Sequence, residues 1–245
     1  RAVCAINSGT VSGSYPEGNV TLQGDASIFG GVTGRNTGTV AVITLTSMPV
    51  IDATKSKLTV GGAVGANEAI ITQIVAKDLK FAKFSGYRYL GGITGTNGGS
   101  GKTTAGVSDC VYSGTMTEKT GAAGNCYGGI AGINYATLSG CKITKITMEI
   151  KGVYTATSTS TAAQKESLAS HAGGITGKNE TSATITSCVI DNNPDSRIRA
   201  DYGMLGGVTG FNKGTITMSG SSITAAVMNL PQETLKYYDK LWTQL

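Results

Sequence analysis

The chain has 245 residues, with 36 glycines, 4 prolines and only 14% charged residues. This composition is unusual for an enzyme and too rich in β-branched residues for a disordered linker, so it favours short strands joined by glycine-rich turns. The net charge of +5 is spread along the chain, which argues against nucleic-acid binding. No apolar run reaches about 18 residues, the length that would span a membrane.

One motif, Gly-Gly-apolar-Xaa-Gly-Xaa-Asn, recurs along the whole chain. A worn copy begins at Arg1, and six clear copies begin at Gly30, Gly61, Gly91, Gly128, Gly173 and Gly206, so that successive starts lie 29, 31, 30, 37, 45 and 33 residues apart. A unit of about 30 residues is too small to bury its own apolar face, so the units must stack on one another. The sequence therefore predicts an all-β fold, a parallel β-helix (β-solenoid) of about seven coils over residues 1–224.

Equivalent motif positions predict three stacked columns. The apolar residues after Gly-Gly are expected in one buried column: Val32, Ala63, Ile93, Ile130, Ile175 and Val208. The asparagines that end the motif are expected to stack at one corner as a structural ladder that bonds backbone groups: Asn7, Asn36, Asn67, Asn97, Asn134, Asn179 and Asn212. Cys110, Cys141 and Cys188 share a third position, and we interpret them as reduced, buried thiols, with a strained cross-rung disulfide as the alternative.

The motif resembles GLUG, a repeat of bacterial surface proteins and of the non-catalytic part of IgA-specific metallopeptidases. The resemblance rests on the Gly-Gly runs and on the Gly-Thr-Val or Gly-Thr-Ile that follows them, as at residues 38–40 and 214–216, and it covers the chain from Arg1 to about Thr224. Threonine often stands where the family commonly has Val or Ala. The resemblance implies an extracellular or cell-surface location in a bacterium, and it implies no activity.

Several segments depart from the repeat. Residues 98–106 and 152–172 lengthen two coils, and residues 191–202 form a further unrepeated stretch. Residues 225–245 change period, with Leu235, Tyr238, Trp242 and Leu245 at helical spacing, so we expect a short C-terminal amphipathic helix that caps the solenoid. Because Arg1 begins inside a motif copy, we expect the natural protein to continue upstream as part of a longer polypeptide or surface assembly.

The segment 77–90 mixes bases with aromatic residues, which suits stacking on sugars or on an anionic polymer. Its candidate ligand-binding residues are Phe81, Lys83, Tyr87, Arg88 and Tyr89. The alternative interpretation is an ordinary pair of strands with apolar residues inside and bases outside.

No set of residues predicts catalysis. Residues 95–104 look like a phosphate-binding loop, but Thr96 stands where Gly is required and a strand-like stretch follows. His171 is the only histidine and is expected to pack at the entry to a coil, and residues 191–195 are expected to form a polar turn. We therefore expect no catalytic residue, no metal and no cofactor.

These observations favour a non-catalytic structural or adhesive module of a bacterial surface or secreted protein, which displays loops on a rigid solenoid. Its expected partner is a host or bacterial surface protein or a glycan. A glycan-binding or glycan-cleaving β-helix is the alternative. A third interpretation, an ice-binding solenoid, needs a flat Thr-Xaa-Thr array, and the uneven coil lengths argue against it.

Overall fold

The computed structural model describes residues 3–13, 20–22, 27–48, 51–53, 57–153, 159–218 and 227–228. These residues form strands β1 to β27, numbered in chain order, and one short helix, α1 (Ala162–Leu168). Every pairing between the named strands is parallel, and the coils wind through about six turns. The predicted β-solenoid is therefore confirmed.

The second half of each motif forms the asparagine sheet, which has seven strands. These are β1 (Cys4–Asn7), β5 (Thr33–Asn36), β9 (Val64–Asn67), β12 (Thr94–Asn97), β16 (Ala131–Asn134), β20 (Thr176–Asn179) and β25 (Thr209–Asn212). The residues that lead into each motif form the glycine sheet, which has six strands. These are β4 (Ile28–Gly30), β8 (Leu58–Gly61), β11 (Tyr87–Gly91), β15 (Cys126–Gly128), β19 (His171–Gly173) and β24 (Met204–Gly206).

The rest of each coil crosses a third, wide sheet of twelve strands. These are β2 (Thr10–Val11), β6 (Thr39–Leu45), β10 (Ile70–Phe84), β13 (Gly106–Ser108), β14 (Val111–Glu118), β17 (Thr137–Ser139), β18 (Lys142–Ile150), β21 (Thr184–Thr186), β22 (Val189–Ile190), β23 (Arg197–Ala200), β26 (Thr215–Thr217) and β27 (Val227–Met228). A separate pair consists of β3 (Val20–Leu22) and β7 (Ile51–Ala53). The long strand β10 pairs with β6 on one side and with β13 and then β14 on the other.

The asparagines form a continuous ladder at the corner between the asparagine sheet and the wide sheet. Each side-chain Nδ2 from Asn7 to Asn179 donates to Oδ1 of the asparagine in the next coil, at 2.8–2.9 Å. The amides also bond backbone groups, as when Asn36 donates to the carbonyl oxygen of Ile70 at 3.0 Å. Residues from Asn36 to Asn179 in this column have no exposed surface. The motif asparagine is thus a structural residue of each coil.

The apolar column behind the Gly-Gly pairs is buried as expected. Val32, Ala63, Ile93, Ile130 and Ile175 are 0% exposed, and Val208 is 7% exposed. The glycines beside this column allow close contact between coils. A Cβ on Gly62 or on Gly92 would collide with the carbonyl oxygen of the corresponding glycine in the next coil. At these two positions the motif needs glycine for space.

The bend within the wide sheet is a column of left-handed residues. Val42, Gln73, Asp109 and Ser187 have φ between 53° and 56°, and Gly140 in the same column has φ 61°. Each follows a short outer strand segment and turns the chain toward the next buried residue. Since non-glycine residues rarely adopt this conformation, the stacking of coils holds it in place.

Uneven coil lengths do not disturb the stacking. Asn134 and Asn179 are 45 residues apart, yet they pair in register between β16 and β20. The described extra residues of this coil include α1, which begins with a capping box formed by Thr161 and Gln164. The sequence predicted this excursion but not its helix.

The C-terminal prediction is only partly covered by the described residues. The predicted amphipathic helix over residues 229–245 lies outside them. Residues 227–228, which the prediction assigned to the cap, instead form β27 and pair with β23. Among the described residues, no helix is long and apolar enough to cross a membrane.

Candidate functional site

The segment 77–90 lies in the two strands β10 and β11, and three of its four aromatic residues point into the core. Phe81, Phe84 and Tyr87 are 4–5% exposed. The rings of Phe84 and Tyr87 stack, with centroids 4.7 Å apart. Phe81 and Tyr87, which were predicted to bind a ligand, are buried in the core and offer no free face.

Arg88 and Tyr89 are the part of this prediction that lies at the surface. Both are half-buried, and the guanidinium carbon of Arg88 lies 5.7 Å from the centre of the Tyr89 ring. The next residue, Leu90, is fully buried, so Tyr89 points to the outer side of β11. The side chain of Lys83 lies outside the described part of the structure.

Tyr89 belongs to an outward column on the glycine sheet. It pairs in register with Cys126, which pairs with His171, which pairs with Met204. Cys126 and His171 are nevertheless only 4% and 2% exposed. They are covered because this stretch lies against the insert: the backbone NH of Gly124 donates to the carbonyl oxygen of Leu168, at the end of α1, at 3.2 Å.

An ionic cluster joins α1 to the asparagine sheet. The carboxylate of Glu166 on α1 lies 2.7 Å from Nζ of Lys178 and 2.8 Å from Nζ of Lys213, and Glu180 lies 2.8 Å from Nζ of Lys178. The ring of Phe211 lies to one side of both ammonium groups, with its centre 5.8 Å from Nζ of Lys178 and 5.5 Å from Nζ of Lys213. We call Glu166, Lys178, Glu180, Phe211 and Lys213 the α1 cluster.

Burial and charge set the protonation states around this cluster. Burial raises the pKa of Glu166, but its hydrogen bonds to Lys178 and Lys213 outweigh this effect and hold the pKa below the ordinary value. Burial likewise lowers the pKa of Lys178, and its bonds to Glu166 and Glu180 more than reverse the shift. Glu166 and Lys178 are therefore charged at neutral pH.

Cys126 and His171 are neutral neighbours beside the cluster. Burial raises the pKa of Cys126 to about 12, and burial, aided by the charge of Lys178, lowers the pKa of His171 to about 4. The Nε2 atom of His171 is buried and has no hydrogen-bond partner in the structure. Because a nucleophilic cysteine needs a thiolate, this pair is not activated for attack.

The three stacked cysteines pack inside the solenoid. Cys110, Cys141 and Cys188 are 0–1% exposed, and all five cysteines are free. Hydrogen bonds between neighbouring thiols, together with burial, raise the pKa of Cys141 and of Cys188. Cys141 and Cys188 are thus protonated thiols, and all three side chains of the column pack like small apolar side chains.

The other segments considered for chemistry are tied into the scaffold. Lys102, in the loop that looks like a phosphate site, lies 2.9 Å from the carboxylate of Glu68. Asp191 and Asp195 lie in a turn in which the backbone NH of Asp195 donates to Oδ1 of Asn193 at 2.9 Å. In the described part of the chain, no group of three or more His, Cys, Asp or Glu side chains is arranged to hold a metal ion.

Threonine rows are present on the wide sheet but do not form a continuous array. Thr184 and Thr186 pair in register with Thr215 and Thr217. The uneven coil lengths leave this register intact, so coil length is the wrong argument against an ice-binding surface. What interrupts the threonine array is its composition along the solenoid axis. In the stacked column that contains Thr184, two other coils place Ile70 and Gly106 where an array needs threonine.

The α1 cluster was missed by sequence reasoning because Glu166 lies in an insert and its partners lie at or next to motif positions. Lys178 and Phe211 stand at the variable position before the motif asparagine, and Lys213 follows that asparagine. The variable position points outward, since its neighbours Gly177 and Asn179 are buried. Charged and aromatic residues at this position in adjacent copies were the available signal.

The comparisons with known proteins identify no relative. No family model matches the chain, and no match is found among the curated proteins or the solved structures. The function of the chain must therefore be argued from its own residues.

Proposed function

We propose that the chain is a non-catalytic structural and adhesive module of a bacterial surface or secreted protein. The supporting observation is the asparagine ladder, which runs from Asn7 to Asn212 through all seven strands of its sheet. The repeated polar residues serve the scaffold, and a scaffold stacked in one register is a rigid support for a binding surface. The resemblance of the motif to GLUG agrees with this role.

The residues free to contact a partner are the outward variable positions and the inserts. Along the asparagine sheet the outward column changes from Arg35 through Ala66 and Thr96 to Lys178 and Phe211, while Ile133 in the same column is buried. Such variation on a constant framework is how repeat proteins acquire specificity. The proposed partner is a protein or a glycan on a host or bacterial surface.

An array experiment tests this function. The intact chain is applied to surface glycans and to host and bacterial surface proteins, and the same polysaccharides are assayed for new chain ends after long incubation. We expect saturable binding of at least one class and no cleavage. Cleavage of any polysaccharide would overturn the non-catalytic role, and absence of all binding would overturn the adhesive one.

A glycan-binding β-helix is the second candidate, and half-buried aromatic residues favour it. Burial raises the pKa of Tyr135 to about 12, and Tyr89 contributes to this shift through its proximity. Tyr89 and Tyr135 are both half-buried, and half-buried tyrosines offer apolar faces that can stack on sugar rings. Tyr89→Ala should weaken glycan binding, whereas Ile70→Ala, at an exposed site on the wide sheet, should not.

A further inference from the structure

The carboxylate of Glu166 is held as a bound anion would be held. Two ammonium groups, those of Lys178 and Lys213, contact the same oxygen, Oε1, at 2.7 and 2.8 Å. The ring of Phe211 lies beside both lysines. Charge-assisted contacts of this length are among the strongest polar interactions in proteins. The two lysines and the ring therefore form a carboxylate clamp that an inserted segment fills.

The helix that supplies this carboxylate is held to the solenoid by polar contacts and not by an apolar core. α1 has seven residues, and Lys165 is its only buried residue. It therefore contributes no buried apolar side chain to the solenoid, and a helix of this length is marginal on its own. Segments with few buried apolar contacts open at the low end of the stability range. An external anion could displace Glu166 without unfolding a coil.

The surface beside the clamp has groups that suit a sugar ring. Phe211 offers an apolar face, and the ring of His171 packs edge-on against it with centroids 5.6 Å apart. Nε2 of His171 is buried without a partner, which is costly unless a ligand group completes the hydrogen bond. After Glu166 leaves, the two lysines and the remaining Glu180 carry one excess positive charge, which matches one carboxylate.

We propose that this face binds a carboxylated glycan, a polysaccharide containing uronic acid residues, and that Glu166 of α1 occupies the carboxylate position when the ligand is absent. The inference rests on the proposed adhesive function and names its ligand class. The sugar carboxylate binds between Lys178 and Lys213, its ring packs on Phe211, and a hydroxyl pairs with Nε2 of His171.

Titration calorimetry with oligogalacturonate tests the site. The variant Glu166→Gln removes the competing charge, so we expect it to bind about tenfold more tightly than the parent chain, as for the loss of one competing charge-assisted bond. In Glu166→Gln/Lys213→Gln the gain should disappear. Binding should also speed hydrogen exchange of the amides of residues 164–168 as α1 leaves.

Controls separate the clamp from general charge effects. Glu149→Gln makes the same charge change at an exposed ion pair with Arg197 on the wide sheet and should leave affinity unchanged. Methyl-esterified oligogalacturonate, which keeps the sugar and loses the charge, should not bind. Equal affinity of Glu166→Gln and the parent, or equal gains in Glu149→Gln, would overturn the site. Equal binding of polyglutamate would overturn the glycan assignment, while binding of other partners on the array would leave the adhesive function standing.

Discussion

Asn36 donates its side-chain amide to Oδ1 of Asn67 at 2.9 Å, although 31 residues separate them in the chain. The same bond joins each successive pair of motif asparagines. Because every inner amide both donates to one neighbour and accepts from the other, the ladder is one chain of hydrogen bonds through the solenoid. Bonds in such chains polarise one another, so the inner members should matter most.

Removing an inner rung should therefore be costly. Asn97 accepts from Asn67 and donates to Oδ1 of Asn134 and to the carbonyl oxygen of Thr137. We expect Asn97→Ala to lower the free energy of unfolding by about 2–3 kcal/mol, since it leaves buried polar groups unpaired. Urea denaturation measures this loss. The control Asn212→Ala, at the exposed last rung, should cost less than about 1 kcal/mol, and equal losses would contradict the ladder as a cooperative element.

Relieving the left-handed bend should stabilise the chain. Val42 has φ 56° and is 61% exposed, so its side chain contributes little packing while its backbone is strained. We expect Val42→Gly to raise the free energy of unfolding by about 1 kcal/mol, because glycine adopts this conformation without the steric cost. Thermal melting provides the measurement. Val75→Gly, at an exposed strand position, should lower stability instead, and a loss in both variants would refute the strain.

Two buried tyrosines should respond oppositely to loss of their hydroxyl groups. The hydroxyl of Tyr112 is fully buried with no hydrogen-bond partner in the structure, whereas Tyr127 donates its hydroxyl to the carboxylate of Glu118 at 2.7 Å. We expect Tyr112→Phe to stabilise the chain by about 1 kcal/mol and Tyr127→Phe to destabilise it by about 2 kcal/mol. Paired urea titrations measure both. A destabilised Tyr112→Phe would mean that the hydroxyl has a partner.

The β-solenoid fold could be predicted from the repeated motif, because residues at equivalent motif positions in a solenoid must share the same environment. The columns of Val32 and Asn36 and their counterparts could be placed from motif position alone. Surface sites could not be placed in this way. Tyr87 and Tyr89 are two residues apart on one strand, yet the chain turns between Phe84 and Tyr87 and the register shifts after Tyr87, so one ring is core and the other is half-exposed.

The α1 cluster depends on a contact that no repeat can predict. Glu166 lies in an insert, and its partners Lys178 and Lys213 lie in two different coils. Their meeting depends on how the insert folds back over the solenoid, which is particular to this one coil. Motif position placed His171 at the entry to a coil, but only the insert explains why an outward-facing imidazole is buried.

The buried imidazole should make stability depend on pH. Burial, with the charge of Lys178, lowers the pKa of His171 to about 4, below the value of about 6.5 in an unfolded chain. Between these values the unfolded chain binds a proton that the folded chain excludes, so this contribution is complete above pH 6.5 and is lost as the pH falls. From pH 6.5 to 4.5 we expect the free energy of unfolding to drop by about 2 kcal/mol.

The variant His171→Phe isolates this effect. Phenylalanine fills the same space beside Phe211 and cannot be protonated, so its stability should change by less than about 0.5 kcal/mol over that pH range. The measurements end at pH 4.5, which is the ordinary pKa of a glutamate side chain. The pKa of Glu166 and that of Glu68 are lowered from this value, so the stability that these two carboxylates contribute is lost in more acidic solution. Urea titrations of both chains at several pH values give the two curves. Parallel curves would show that the imidazole is protonated in the folded chain or is exposed when α1 opens.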